Sequence, residues 1–581
     1  MSTKEKLYSV WGESLDEKKP LTDYPRMHLQ RQSYMCLNGV WEYQITARHE
    51  KPVKDGWKKI VVPFAPGTTL SGTDENVGPD QELWYRRQFA YKPSIKHTIL
   101  HFGAVDQECV VYVNGIEAGG HGGGYVPFSL DISPLIKYQN TIVVKCVDLS
   151  DQGAYMYGKQ KMEHGGMWYT PSAGIWQTVW LEDIPEHAVT DIKITPDYDN
   201  HLVAVDLAGD YSQALISVVA NDKVVHQGLT NDLHYTFELP DFRPWSPDDP
   251  FLYDLYVKTE DDLVKSYFGM RKFSAGYDKD GVLRFCLNEK PLFLSGVLDQ
   301  GYTVDGGLTY ESDEAMIADI RKMKDMGFNM LRKHVKVEAE RWYYHCDRLG
   351  MLVMQDIPNS GGPYSYPLMT VLPHAGLRKL SDTTDNKAFG RLSEDEKGVF
   401  EQELDEILDC LYHCTCIFAW TLFNEGWGQY ESARLTEHIK NYDQSRLVDS
   451  ASGWHDQGAG DFESRHVYFT PFHVSKKKRD RILLLSEFGG YAYLEYGHSQ
   501  AEKLYGYKTF TDKVALDEAV NKLFERFVLD NIKNGLSGCV YTQVSDIEDE
   551  CNGILTADRK VVKLDERRMR KMNERCIRKV R

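Results

Sequence analysis

Two glutamates in this sequence each close an apolar run. One ends Phe418-Ala-Trp-Thr-Leu-Phe-Asn-Glu425-Gly-Trp-Gly and the other ends Leu483-Leu-Leu-Ser-Glu487-Phe-Gly-Gly. A carboxyl group that gives up a proton, placed opposite a carboxylate that attacks carbon, is the machinery for breaking a glycosidic bond with retention, and the two groups must then stand about 5 to 5.5 Å apart. A single Glu at the end of an apolar run is more often a salt-bridge partner. Two of them carry the reading only if the fold sets both on one surface. Other polar residues close similar runs: Arg332 and His334, Asp356, Asn424, His466 with Tyr468, and Gln543.

The elements that would position them follow the hairpin signal Asp280-Gly281. Eight strand-like runs are read at 292–297, 329–334, 352–356, 417–424, 447–450, 466–469, 482–487 and 539–543. Amphipathic helical stretches lie between several of them, at 313–326, 338–349, 394–412 and 516–534. Eight strands alternating with helices over residues 276–581 predict a (β/α)8 barrel, whose chemistry sits at the C-terminal ends of the strands. Glu425 and Glu487 then face the same bowl. A segment from Pro358 to Asp395, rich in Gly, Pro, Ser and Thr, follows the third run and is expected to shape the pocket.

Residues 1–184 read differently, as short strands separated by Gly, Pro, Asn and Asp, which predicts a β-sandwich. Asn114-Gly115 after an apolar run is a type I′ hairpin signal, since both central residues of that turn need φ > 0. Residues 185–275 alternate in the same manner, at 202–207 and 214–219 for example, around a Pro-rich break at 242–250. That pattern predicts an immunoglobulin-like sandwich.

At 581 residues the chain is too long for one core. Its 68 Lys and Arg against 86 Asp and Glu give a net charge of −18, which argues against nucleic acid as a partner. No run of 18 apolar residues offers a membrane span, and the charged beginning has no apolar signal region, so a soluble cytoplasmic protein is expected. The 11 cysteines are irregularly spaced, many within apolar runs, and read as buried thiols and not as a disulfide framework.

The two glutamate segments resemble the acid/base and nucleophile motifs of glycoside hydrolase family 2, the family of β-galactosidases, β-glucuronidases and β-mannosidases. The likeness runs through most of the chain. Leu37-Asn-Gly-Val-Trp41, Trp84-Tyr-Arg-Arg-Gln-Phe89, His121-Gly-Gly-Gly-Tyr-Val-Pro-Phe128 and Gly174-Ile-Trp-Gln-Thr-Val-Trp180 resemble the family's jelly-roll sugar-binding domain. Trp245-Ser-Pro-Asp-Asp-Pro-Phe-Leu-Tyr253 and Tyr267-Phe-Gly-Met-Arg271 are similar to its immunoglobulin-like domain. The resemblance implies a retaining exo-β-glycosidase that hydrolyses terminal β-linked sugars, galactosides or glucuronides first, by double displacement. Glu425 would be the acid/base and Glu487 the nucleophile. Asn424 would bind the sugar 2-hydroxyl, Arg332 would hold the nucleophile ionised, and His334, His466 and Tyr468 would be subsite contacts, with Tyr468 orienting Glu487. Trp454 is a candidate sugar platform, as are Trp427 and Tyr541, and Gln543 a further substrate contact. No cofactor and no metal are expected. The partner is a small glycoside or oligosaccharide, and homo-oligomers are common among the enzymes resembled. The alternatives are a binding protein that kept the fold and lost catalysis, or β-mannosidase or β-glucosidase specificity.

Some features depart from the family pattern. After the second run this chain has Arg332-Lys-His-Val-Lys336, and after the eighth Gln543-Val-Ser-Asp546. No Asn-x-Lys pair plainly matches the one β-glucuronidases use to hold a uronate, and Lys333 and Lys336 are weakly placed substitutes. Other apparent motifs are set aside. Gly153 to Lys159 has phosphate-loop spacing, but Gln160 stands where Ser or Thr is needed and no helix pattern follows. Cys414-Thr-Cys416 beside His413 lacks the second ligand pair of a zinc site.

Overall fold

The structure, a computed structural model, describes residues 6–374, 380–385, 387–391 and 393–580. The parts of the segment after the third run at 375–379, 386 and 392 therefore lie outside the described residues, as do residues 1–5 at the charged beginning.

The first region is a sandwich of antiparallel sheets. Six strands, including Gly39–Ala47, Gln81–Ala90 and Gln139–Val147, face a four-stranded sheet built on His97–Phe102 and Val179–Ile184. Alternate residues of each strand point inward, and Trp41, Tyr85, Leu100, Val111 and Leu181 form the core between the layers. Asn114 and Gly115 both have positive φ, 53° and 82°, and join Glu108–Val113 to Ile116–Gly122 in register, as the hairpin signal requires. The next region packs three strands against four around Val203, Ile216, Leu255 and Val264. It is an immunoglobulin-like sandwich.

The third region is a parallel eight-stranded barrel. Its strands are β1 (Leu294–Asp299), β2 (Met330–Lys333), β3 (Leu352–Asp356), β4 (Ile417–Thr421), β5 (Leu447–Asp449), β6 (Phe462–Val467), β7 (Ile482–Gly489) and β8 (Leu536–Thr542). The ladder runs β5-β4-β3-β2-β1-β8-β7-β6. Between β5 and β6 the ladder gives way to a few links: Asp461 N donates to Val448 O at 2.7 Å, Val448 N to Asp461 Oδ2 at 2.8 Å and Ser464 Oγ to Asp449 Oδ2 at 2.5 Å.

Two elements differ from the sequence expectation. The sixth strand begins at Phe462, four residues before the predicted run, because Phe462, Ser464 and His466 face inward while Glu463 and Arg465 face out, so no apolar block marks it. The helical stretch 516–534 is divided into Lys513–Leu523, a π-helical turn Phe524–Leu529 and Asp530–Ile532.

The two sandwiches meet the barrel at different places. The immunoglobulin-like region holds the segment just before β3 and β4, through Trp245 Nε1 to Asp347 O (2.7 Å), Tyr267 Oη to Asp347 Oδ2 (2.8 Å) and Gly269 N to Thr415 Oγ1 (3.1 Å). The first region holds the opposite, C-terminal end. Thr170 N donates to Glu548 Oε1 at 2.9 Å, and Tyr157 N donates to Asn359 O at 3.0 Å. All eleven cysteines are free thiols. No helix among the described residues is long and apolar enough to cross a membrane.

Candidate active site

Glu487 lies within β7, where the ladder to β8 slips between Leu485 and Phe488. Such a bulge re-aims a side chain that regular alternation would point elsewhere. The pairing with β6 slips as well, between Arg465 and His466, which sets His466 opposite Glu487. Glu425 comes from the turn after β4. Its φ is +51°, a left-handed value unusual for a residue with a Cβ, and Gly426 follows at +80°. Glu425 N donates to Ser452 O at 3.0 Å and Trp427 N to Asn424 O at 2.9 Å, so hydrogen bonds to the β5 loop and within the turn fix the strained conformation.

These local devices bring the two carboxyl groups together. One oxygen each of Glu425 and Glu487 and a ring nitrogen of His466 all lie within 4.8 Å of one another. His466 stands between them, with Nδ1 2.7 Å from Glu425 Oε1 and Nε2 3.5 Å from Glu487 Oε1. A contact of 2.7 Å between these two atoms requires one proton, carried either by Glu425 or by the imidazole.

Around Glu487 the polar groups are numerous. Arg332, fully buried, donates from Nη1 to Glu487 Oε1 (3.1 Å), from Nη2 to Asn424 Oδ1 (2.8 Å), and through Nε and Nη2 to both oxygens of Asp356 (3.0 and 2.9 Å). Tyr468 Oη donates to Glu487 Oε2 at 2.5 Å. Burial alone would raise the Glu487 carboxyl, but the positive charge of His466 and Arg332 and the Tyr468 hydrogen bond outweigh it and hold the group below the usual carboxylate range. Burial of Arg332 is likewise outweighed by Asp356 and Glu487, and its guanidinium stays charged. Asp356, one of the polar residues that close the strand runs, is the clamp on Arg332.

His334 donates from Nδ1 to Gln300 Oε1 (2.8 Å), and its Nε2 faces Glu487 Oε1 at 3.5 Å without a well-aligned bond. Burial first, then the charges of Lys159 and Arg332, push its pKa well below the ordinary value, so the ring is neutral. Asn424 Nδ2 is also buried and lacks a hydrogen-bond partner among the described residues. Gln543 is one layer removed from the carboxylates, bonded to Gln300 Nε2 (2.9 Å) and Asn552 Oδ1 (2.8 Å), and so fixes His334 through Gln300. Trp454 packs edge-on to His466, with ring centroids 5.8 Å apart. Tyr541 turns its ring away, against Phe488 and Phe524 in the core.

Tyr507 and Lys159 were not singled out from sequence as site residues, whereas Trp427 was a candidate platform. Tyr507 stacks on Tyr468 at 3.6 Å. Trp427, 6.2 Å from the His334 ring, packs on Trp168 of the first region at 4.7 Å. Lys159, also from the first region, lies 5.4 Å from the Trp427 ring. The available signal was length: no strand is formed between Val147 and Gly174, and so long a connection in a β-sandwich is usually functional. Lys333 and Lys336, the cations weighed for an anionic sugar, are occupied elsewhere, paired with Asp299 and Glu338.

Two groups of side chains among the described residues have metal-ligand spacing, Glu425-His466-Glu487 and His28-Glu340-His413. In the first, Arg332 already supplies a fixed positive charge 3.1 Å from Glu487 and 3.4 Å from His466 Nε2. In the second, His28 and His413 line a cavity together with His101, Trp180, Lys193 and Tyr412, and none of the strand-end residues opens into it.

Comparison with known proteins gives three consecutive family matches: the sugar binding domain of glycosyl hydrolases family 2 over residues 26–185, a further glycosyl hydrolases family 2 domain over 176–271, and the family's TIM barrel domain over 279–564. A putative beta-glucuronidase of Formosa agariphila is 25% identical over 513 residues, covering 78% of this chain and 56% of that protein. A beta-galactosidase of Thermoanaerobacter pseudethanolicus is 28% identical over 391 residues, covering 62% of this chain and 47% of that protein. The chain thus spans about half the length of the curated relatives it matches. Among solved structures, a beta-glucuronidase of an uncultured Clostridium superposes with a TM-score of 0.72 at 17% identity, covering 94% of this chain and 99% of that one. A beta-galacturonidase of Eisenbergiella tayi bound to galacturonate gives 0.69 at 18% identity, covering 95% and 99%. At these identities the likeness is one of fold.

Proposed function

The chain belongs to glycoside hydrolase family 2, and from that premise we propose that it is a retaining exo-β-glycosidase, with Glu487 as nucleophile and Glu425 as acid/base. The observation that carries this reading is that one oxygen of Glu425 and one of Glu487 lie within 4.8 Å of each other. Retaining enzymes need about 5 to 5.5 Å, whereas inverting ones leave about 6.5 to 9.5 Å for a water.

In the first step Glu487 attacks the anomeric carbon while Glu425 protonates the departing oxygen. Glycosylation removes the negative charge of Glu487. Glu425, now a carboxylate, takes a proton from water, which attacks the anomeric carbon and releases the sugar with its configuration kept. The unpartnered Asn424 Nδ2 is placed to donate to the sugar 2-hydroxyl, a contact that strengthens as positive charge develops. Arg332 and Tyr468 keep Glu487 ionised between turnovers. Exo action is supported by enclosure: Glu425 is 7% and Glu487 4% exposed, Trp427 two residues after Glu425 packs on Trp168, and Tyr468, bonded to Glu487, stacks on Tyr507.

The stereochemistry of the first-formed product tests this. With a panel of aryl β-glycosides, proton NMR is expected to record the β-anomer before mutarotation. An initial α-anomer, or no turnover of any member of the panel, would overturn the assignment.

A further inference from the structure

Five lysines among the described residues are buried: Lys159, Lys333, Lys336, Lys397 and Lys563. Four of them are ion-paired, Lys333 with Asp299 and Glu338, Lys336 with Glu338, Lys397 with Glu394 and Glu431, and Lys563 with Asp546. Lys159 is the exception. It is 4% exposed, its ammonium donates to Met167 O at 3.0 Å, and no carboxylate of the described residues pairs with it. Burying a charge without a counter-charge is costly, and such groups are ordinarily neutralised by a partner. Trp427, Tyr169 and Trp168 surround the ammonium with ring centroids at 5.4, 5.6 and 5.7 Å, near the outer limit of cation–π contact, and they bring no negative charge.

The position of this cation is fixed from both sides. Gly158, with φ +61°, lies so close to the segment after β2 that a Cβ there would stand 2.5 Å from Val335 O, and its N–H donates to Asn359 O at 3.3 Å. On the other side Tyr169 N donates to Lys159 O at 2.9 Å, and Gln160 Nε2 to Asp106 Oδ2 at 2.9 Å. The ammonium is thereby held against the ring of Trp427, two residues after Glu425, and its charge reaches both His334 and Glu487. A second cation, Lys161, lies over the ring of Trp168 at 3.9 Å.

We propose that Lys159, supplied by the sandwich and not by the barrel, is a specificity-determining residue that receives an anionic substituent, carboxylate or sulfate, on the terminal sugar. The substrate is then an acidic glycoside. This deepens the glycosidase reading and rests on it. The segment dismissed as a phosphate loop binds an anion through one lysine on a rigid turn, without a helix N-terminus.

The test compares kcat/KM for 4-nitrophenyl β-glucuronide and β-galacturonide, for the neutral glucoside and galactoside, and for a 6-sulfated galactoside. Wild type is expected to prefer at least one acidic sugar over its neutral parent by about 100-fold, the scale of a buried charge-assisted contact. A uronide preference identifies carboxylate as the anion, and a preference for the sulfated sugar identifies sulfate. Lys159→Met is expected to collapse the acidic-to-neutral ratio by about 30-fold or more, chiefly through KM, while Lys159→Arg keeps most of it. Should Lys159→Met not fold, Lys159→Gln provides the same comparison. Neutral sugars cleaved as well as acidic ones by wild type, or a ratio unmoved by loss of the charge, would overturn the proposal and leave the glycosidase reading standing. Failure to cleave any glycoside, acidic or neutral, overturns both.

Discussion

The ends of β4 and β7 present the same side chain in opposite settings. Glu487 sits on a bulged strand with a guanidinium on one oxygen and a phenol on the other. Glu425 sits on a strained turn, with one side-chain contact, to an imidazole that can take or give a proton. Burial is similar at both. What differs is the number of fixed donors, and at Glu487 they favour a carboxylate that stays charged.

That contrast can be broken from either side. The largest effect is expected for Glu487→Gln, which removes the proposed nucleophile and should lower kcat by roughly 10⁴-fold or more for every substrate, measured by steady-state kinetics. Glu425→Ala should lower kcat by roughly 10² to 10⁴-fold for alkyl glycosides. The loss should be much smaller for aryl glycosides whose leaving group needs no proton, and azide should restore turnover. Equal losses for both leaving groups would erase the distinction between the two carboxyls.

Removing the donors around Glu487 should make it resemble Glu425. Arg332→Met leaves Glu487 and Asp356 buried without their cation, and a destabilisation of about 3 to 5 kcal/mol is expected in denaturant unfolding. Tyr468→Phe is milder, about 10 to 100-fold in kcat, the value of one hydrogen bond to a charged group. The direction of its pH effect is fixed. The folded-state pKa of Glu487 is depressed, so the active carboxylate is lost as pH falls through that pKa, and removing a contact that depresses it should move the acid limb of kcat/KM upward. An acid limb that stays in place would mean that Tyr468 does not hold the charge of Glu487. The smallest effect is expected for Gly158→Ala, at about 1 to 3 kcal/mol of stability, because a left-handed backbone and a 2.5 Å contact with Val335 O both oppose a Cβ.

The parts of this site that were legible in sequence lie at the ends of apolar runs. Arg332, Asn424, Glu425 and Glu487 each follow or end a stretch whose hydrophobicity marks a barrel strand, and the barrel's symmetry brings such ends together. Even there the register was less legible than the existence of the element. The β6 strand hides its period behind Glu463 and Arg465, and neither bulge that aims Glu487 and His466 leaves a compositional trace. The contribution of Lys159 was illegible for another reason. It stands on no periodic element, and its role depends on how the first region docks on the barrel, through contacts such as Thr170 to Glu548 and Tyr157 to Asn359 that join residues far apart in the chain. Spacing reported a familiar loop and missed its placement. Gln543 shows the converse: a strand-end residue correctly placed in the bowl, yet one hydrogen bond further from the carboxylates than its position implied.

The asymmetry between β4 and β7 is tested most directly by trapping. A 2-deoxy-2-fluoro β-glycoside with an activated leaving group, matched to the sugar the enzyme prefers, slows both steps and lets the glycosyl-enzyme accumulate. Peptide mass spectrometry should then find one sugar attached, on the peptide that carries Glu487. A label on the Glu425 peptide, or full turnover with inversion and no covalent adduct, would contradict the assignment of the two carboxyl groups.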